Sequence, residues 1–598
     1  MRKKSVSKRA GTEFKTEWNL GLLYASEDDP KLEADVRRVE VAYDAFQKKY
    51  AGRRDWCEDE EKLFEAMTES EWLSGELPLS APITYFNYRK SLKSDDQVAE
   101  ARLNRLAERL TKNENKLLFF PLALAKISAP LQKKFLGSER LAHFRFVLEL
   151  LFEEAKHNLT EPEEKIMGLK ALTSRMLWID GSEKILNKQS VLWKGKKISV
   201  GEALNKVQDL PKRGRTLLHR AVIKKLVGIA DVAENELNAI VIDKKINDEL
   251  RKLEKPYDRT VASYQNKPET VERLIKAVST AFPIAHRFYK LKARMLGEKR
   301  LRYEDRSASV GKIAKKFDFS SAVETLSASL GGLSEKYREI FLQFLRRGQI
   351  DVYPKLGKQG GAFCSGNTNA PTFVLLNFSD SFDSFLTLAH EMGHAIHTEL
   401  SKSQPPAYRD YSTASAEIAS TFFECLAFAA VFETLTEKEK VVALHNKIGD
   451  DIQTIFRQIA CFNFELELHT AIRAKGAVPK EEIAEMMNRH MASYLGPEVA
   501  LRPEDGYFFV YWSHLRNFFY VYTYALGQLA SKVFLARLTA DKNFSGAIEK
   551  FLSAGGSARP EDILKSIGVD ITAPEFFAEG LASISRDIDE LERLISKK

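Results

Sequence analysis

The run His390-Glu391-Met392-Gly393-His394 constrains this chain more than any other stretch, because its chemistry works only if the segment is helical. Two imidazoles four positions apart share one face of an α-helix, so a single metal ion can be gripped from the same side. Glu391 then lies beside the open metal position, where a carboxylate can take a proton from a water whose pKa the metal lowers toward ~7. The surrounding residues agree. Phe382, Phe385, Leu386, Ala389, Met392, Gly393 and Ile396 complete an amphipathic helix, and residues 371–378 ahead of it read as a mostly apolar strand. With eleven His in 598 residues, chance would produce this motif in roughly one such sequence in a hundred.

A catalytic zinc takes three protein ligands plus water. His397, seven positions past His390, returns to nearly the same angle but lies about 10 Å further along the axis, too far for the two to share one ion. A Gly three positions and a His six positions after the second His would mark another known pattern, but those places hold His397 and Leu400. Glu417, twenty-three residues after His394, is the better third ligand. It falls on a second expected helix, separated from the first by a turn containing Pro405 and Pro406 that lets the two pack side by side. Glu424 shares the face of Glu417. Left unpaired on the apolar stripe of Ile418, Phe422, Cys425, Leu426 and Phe428 it would be costly, so it is expected to orient a ligand His or neighbouring backbone.

A chain of 598 residues exceeds what one core usually supports, so at least two lobes are expected. Helical periodicity dominates: Leu32, Val36, Val39, Tyr43 and Phe46 form one stripe entered through Asp29 as N-cap and Pro30 as first helical residue. Thr436 with Glu439 reads as a capping box. Residues 191–200 look like a small hairpin turning at Gly195, and a lobe boundary is placed there, dividing the chain into a helical lobe over 1–200 and a catalytic region over 201–598. The excess of 91 Lys and Arg over 83 Asp and Glu is mild and unclustered, which argues against a nucleic-acid partner. Residues 1–10 are basic but no apolar run follows, so no secretory signal is expected. Cys57, Cys364, Cys425 and Cys461 are scattered and suit reduced thiols in a cytoplasm. The two most apolar stretches are interrupted by Glu424 and by His514 and Arg516, so no membrane span is expected.

The segments 357–363, 388–397 and 417–421 together resemble the oligoendopeptidase F branch of the thimet oligopeptidase family. Trp18-Asn19-Leu20 near the start and His514 followed by Phe519-Tyr520-Val521-Tyr522 extend the likeness over most of the chain. The resemblance implies a mainly α fold with two helical lobes flanking a deep channel, a small β-sheet next to the zinc-binding helix, and cytosolic, zinc-dependent cleavage of short peptides. It also bears on the aromatic stretch in which Tyr507, Tyr511, His514, Tyr520, Tyr522 and Tyr524 crowd into eighteen residues. Peptide hydrolysis builds negative charge on the former carbonyl oxygen, which needs fixed donors. By resemblance His514 and Tyr522 are those donors, with Tyr520 and Tyr524, and Gly361 and Ala362 in the first segment, as substrate-binding candidates.

The reading is therefore a zinc endopeptidase with one Zn2+ per chain, held by His390, His394 and Glu417 and using Glu391 as general base. The strand over 371–378 is expected to add an extended substrate as an extra strand. The alternative is a zinc carboxypeptidase or dipeptidyl carboxypeptidase on the same metal site. Oligomeric state stays open.

Overall fold

In the computed structural model, which describes residues 14–366 and 369–597, about 71% of the chain is helical and the strands are short. The basic start over residues 1–10 lies outside the described residues. Local chemistry sets the helix ends. Helix α1 (Pro30–Tyr50) begins where the Asp29 side chain accepts the N–H of Lys31 and Pro30 occupies the first turn, and its stripe of Leu32, Val36, Val39, Tyr43 and Phe46 is buried.

The described residues hold seven short strands: β1 (Ser190–Trp193), β2 (Lys196–Ser199), β3 (Leu301–Arg302), β4 (Ile350–Asp351), β5 (Phe363–Ser365), β6 (Phe373–Leu375) and β7 (Val499–Ala500). β1 and β2 form the expected hairpin, turning through Lys194 and Gly195, both at positive φ as a two-residue I′ turn requires. β3 pairs with β7 in parallel. β4, β6 and β5 form a three-stranded sheet with β6 in the middle, parallel to β4 and antiparallel to β5. This corrects one expectation. Both edges of β6 are already paired, so it has no hydrogen-bonding side left for a substrate strand, and β5 is the edge strand on that side.

The chain divides into two compact units: Met1–Lys156 with Lys315–Val431 and Arg537–Gly568, and His157–Ala314 with Phe432–Ala536 and Val569–Lys598. The units interleave along the sequence. The hairpin lies inside the second unit, so a division at residue 200 does not coincide with them.

In the first unit, α2 (Ala81–Leu92) brings Tyr85, Phe86 and Tyr88 together with Trp18, Phe373 and Leu375 in one buried cluster. Trp18 also donates its indole N–H to the Val374 carbonyl at 2.7 Å and its backbone N–H to Asp351 at 3.1 Å. β6 leads into α3 (Phe382–Ser401), which is followed by α4 (Thr413–Phe432). Among the described residues α4 alone is long and apolar enough to cross a membrane, but 61% of that window is buried inside the structure, as befits a core helix.

In the second unit, α5 (Glu437–Asp451) opens with the Thr436–Glu439 capping box, and α6 (Arg457–Lys475) follows. The aromatic segment then leads into α7 (Tyr522–Ala540).

Candidate metal centre and the aromatic segment

Helix α3 is fixed at its start by Ser381, whose hydroxyl accepts the Ser384 N–H at 3.1 Å. Two turns on, the helix presents His390 and His394, and the ligand atoms of His390, His394 and Glu417 all lie within 4.8 Å of one another. Glu417 reaches this place because α4 crosses α3 at Gly393. A Cβ there would stand 2.7 Å from the Ser420 Cα, closer than a Cβ can come without something shifting, and in tight contact with the Ala419 carbonyl oxygen at 3.2 Å. Nδ1 of His390 donates to Glu424 at 3.0 Å, which leaves Nε2 as the nitrogen that could meet a metal. His397 lies outside the cluster, fully buried with its ring stacked on Tyr411 at 3.7 Å.

Burial governs the protonation of the group. It pushes the Glu391 carboxyl up to about 7, His390 opposing and Glu417 adding to the shift, while the Cys364 backbone N–H donates to it from β5. Burial likewise raises Glu417, with His390 opposing. His394 is held down to about 3 by burial and by its neighbour His390, so it is a neutral imidazole, the form that binds metal. Burial also works against a charged His390, but Glu424, with Glu391 and Glu417, outweighs it and the pKa is raised. Two imidazoles and one carboxylate at this separation, with a hydrogen bond fixing the tautomer of one ring, are a donor set that would fit a zinc ion.

Gly361 and Ala362 line a cleft of about 220 Å³ with Leu376, Asn377, Phe378, Ser384 and Thr387. Gly361 has φ +80°, and the Asn377 side chain holds the loop by donating to the carbonyls of Gln359 and Gly361 at 2.9 and 2.7 Å. Thr387 is one helical turn before Glu391, so the cleft opens beside the metal cluster.

In the second unit, His514 and Tyr520 are hydrogen-bonded, Nδ1 to hydroxyl, and both are partly exposed. The Tyr524 ring lies 6.0 Å from His514 and 5.7 Å from Tyr520. Tyr522 differs from expectation. It is fully buried, and its hydroxyl donates to Asn266 Oδ1 at 3.0 Å, so it is not placed to offer that proton to a substrate. Helix α7 turns a side chain by about 200° over two residues, so Tyr522 and Tyr524 face opposite ways, the first buried and the second partly open.

The model of peptidase family M3 matches residues 213–583, well over half of the chain. The chain belongs to that family. A second model, described as Oligopeptidase F, matches residues 124–192. An oligoendopeptidase F homolog of Borreliella burgdorferi is 26% identical over 96% of this chain and 98% of its own length. Group B oligopeptidase PepB of Streptococcus agalactiae is 25% identical over 98% of each. Among solved structures, oligoendopeptidase-F from Enterococcus faecium superimposes with TM-score 0.70 at 18% identity, covering 95% of this chain and 99% of that one. A candidate peptidase from Chlamydophila abortus gives 0.87 at 23%, covering 97% and 98%. At those identities the structural likeness shows a shared fold. This M3 peptidase is thus of the oligoendopeptidase F kind that its motifs resemble.

Three contributions to these sites carry no sequence signal of their own. The Cys364 N–H on Glu391 is a backbone group, the Asn266 partner of Tyr522 is 256 residues away, and Glu465, whose carboxyl oxygen accepts the Phe519 N–H, sits on a separate helix. Gly393 did carry a signal, since a glycine inside a helix marks close approach by a neighbour.

Proposed function

We propose that this M3 peptidase is a zinc-dependent endopeptidase of short, flexible peptides, with His390, His394 and Glu417 as metal ligands and Glu391 as general base. The observation that carries the reading is the cluster of three ligand atoms within 4.8 Å on two crossing helices, with Glu391 next to its first member. Zinc bound there supplies Lewis-acid polarisation of the scissile carbonyl and lowers the pKa of water. Glu391, anchored by the Cys364 N–H and with a pKa near 7, takes a proton from the attacking water and returns it to the leaving amine. Glu424 holds the His390 ring in its ligating tautomer. The donor role beside His514 passes from Tyr522 to Tyr520, because the Tyr522 hydroxyl is buried on Asn266. An extended peptide that pairs with the three-stranded sheet has β5, not β6, as its partner. The four free cysteines suit a reducing cytoplasm.

The relatives named oligoendopeptidase favour internal cleavage over the carboxypeptidase alternative. Digestion of a mixed library of C-terminally amidated peptides by the zinc-loaded protein, read by mass spectrometry, tests it. Internal cuts are expected. Cleavage confined to peptides with a free carboxylate would overturn the endopeptidase reading.

A further inference from the structure

Between His514 and Tyr520 the backbone passes through two consecutive non-glycine residues in left-handed conformation, Phe518 at φ 37° and Phe519 at φ 60°. L-residues avoid this region because Cβ crowds the carbonyl oxygen, so the surroundings must hold the turn. Glu465 on α6 does so from below: it is 2% exposed, and its carboxyl oxygen Oε1 accepts the Phe519 N–H at 2.9 Å. The Thr260 hydroxyl donates to the Phe518 carbonyl at 3.0 Å. The ring of His469 lies 5.3 Å from Phe518 and 4.7 Å from Phe519, and its Nε2 is 3.9 Å from Glu465. Arg175 covers the outer face of Phe518 at 4.8 Å and donates to the Arg516 carbonyl at 2.7 Å. All of these groups belong to the second unit, and the turn they fix ends at Tyr520, whose hydroxyl meets Nδ1 of His514.

We propose that Glu465 is a positioning residue: by holding the Phe518–Phe519 turn it sets the hydrogen bond between Tyr520 and His514, and through it the orientation of the His514 ring during hydrolysis. The proposal rests on His514 serving the peptidase reaction as read above. Packing of two phenyl rings could hold a turn without any acceptor, and the carboxyl is what separates the cases. Glu465→Gln keeps an oxygen for the Phe519 N–H. Glu465→Leu keeps the volume and leaves that N–H unpaired in a buried place.

The test uses the full-length, zinc-loaded protein, a short internally quenched peptide, and nitrogen NMR of labelled histidine with the His514 signal assigned through His514→Ala. Glu465→Gln should stay within about 2-fold of the parent, while Glu465→Leu should lower kcat by about 10-fold or more with KM within about 2-fold. Its His514 Nδ1 signal should move. In a His514→Ala background the same Leu substitution should cost less than about 2-fold, because coupled residues are not additive. Thr260→Val, a milder change on the other side of the turn, should move the signal in the same direction and serves if Glu465→Leu does not fold. An unmoved His514 signal in the folded variants overturns the proposal, as do multiplicative losses in the double variant or a rise in KM at constant kcat. A moved signal with full turnover in His514→Ala would sustain the positioning of the ring by Glu465 and retire His514 from the reaction.

Discussion

Buried Glu391 and half-buried Glu417 stand at the same cluster with different partners, and substitution should separate their tasks. Glu391→Gln keeps an oxygen for the Cys364 N–H and the size of the side chain, but the amide cannot accept a proton. Zinc content should stay near one per chain while turnover falls by at least ~10², the low end of general-base contributions. Near-normal hydrolysis would remove Glu391 from its role. Glu417→Ala should instead weaken the metal, because two His on one helix leave zinc short of its third ligand. Glu424→Ala only frees Nδ1 of His390, a loss of the order of 10–100-fold in metal affinity. Competition against a graded chelator should therefore strip Glu417→Ala first, then Glu424→Ala, then the parent, and the reverse order of the two variants would exchange their roles. The shared face of His390 and His394 could be read from the sequence because a spacing of four is a local property of one helix. The burial of the Tyr522 hydroxyl on Asn266 could not, because no pattern near residue 522 announces that partner.

At the scale of elements, the metal cluster depends on how closely α4 approaches α3. Gly393→Ala places a Cβ 2.7 Å from the Ser420 Cα, so α4 must retreat and take Glu417 with it. Overpacking of this kind costs about 1–3 kcal/mol, and the melting temperature should fall while the chelator concentration needed to remove zinc drops below that of the parent. Unchanged zinc retention would show that the crossing is not what brings Glu417 in. Helix α6 makes a separate forecast. Burial pushes the Glu465 carboxyl up to about 8, the Phe519 N–H opposing, against an unfolded value of ~4.3. Between those values the folded state holds the proton that the unfolded state has lost, so this group's stability contribution is intact below the unfolded value and is lost as pH rises through the folded one. Glu465→Gln cannot titrate, and its melting temperature should gain on the parent's steadily from pH 5 to pH 8.5. Parallel curves would mean the carboxyl is not held protonated. Caps and the β1–β2 hairpin could be read ahead of the structure because Asp29, Thr436 and Gly195 act on their immediate neighbours. The central place of β6 could not, since strand order is set by β4 and β5, which carry only two and three paired residues.

For the whole molecule, the interleaving of the units decides what can be cut away. A division at residue 200 assigns the candidate metal ligands, the three-stranded sheet and the aromatic segment to one piece, residues 201–598, which also contains the whole of the match to family M3. If domain followed sequence, that piece would fold and bind zinc alone. The packing says otherwise. Within the first unit, Phe373 and Leu375 of β6 are fully buried in a cluster otherwise built from the first stretch of chain: Trp18, Tyr24, Tyr85, Phe86 and Tyr88. Trp18 also satisfies the Val374 carbonyl and donates to Asp351, which holds Lys358 at the foot of the loop leading to Gly361. Without residues 1–200 the face of β6 is bare, and the strand that delivers the chain into α3 loses its backing. A cavity left by Trp18→Ala alone should cost about 3–5 kcal/mol, which the intact chain can survive with a lower melting temperature. The fragment 201–598 loses the entire cluster, and several such losses exceed the typical margin of about 5–15 kcal/mol by which a protein stays folded. It should therefore show no cooperative thermal transition by circular dichroism and bind well under one zinc per chain after dialysis, whereas full-length Trp18→Ala keeps both at reduced temperature. A cooperative, zinc-retaining fragment would show that β6 and α3 form without the first stretch, and that the boundary near residue 200 is a true domain limit.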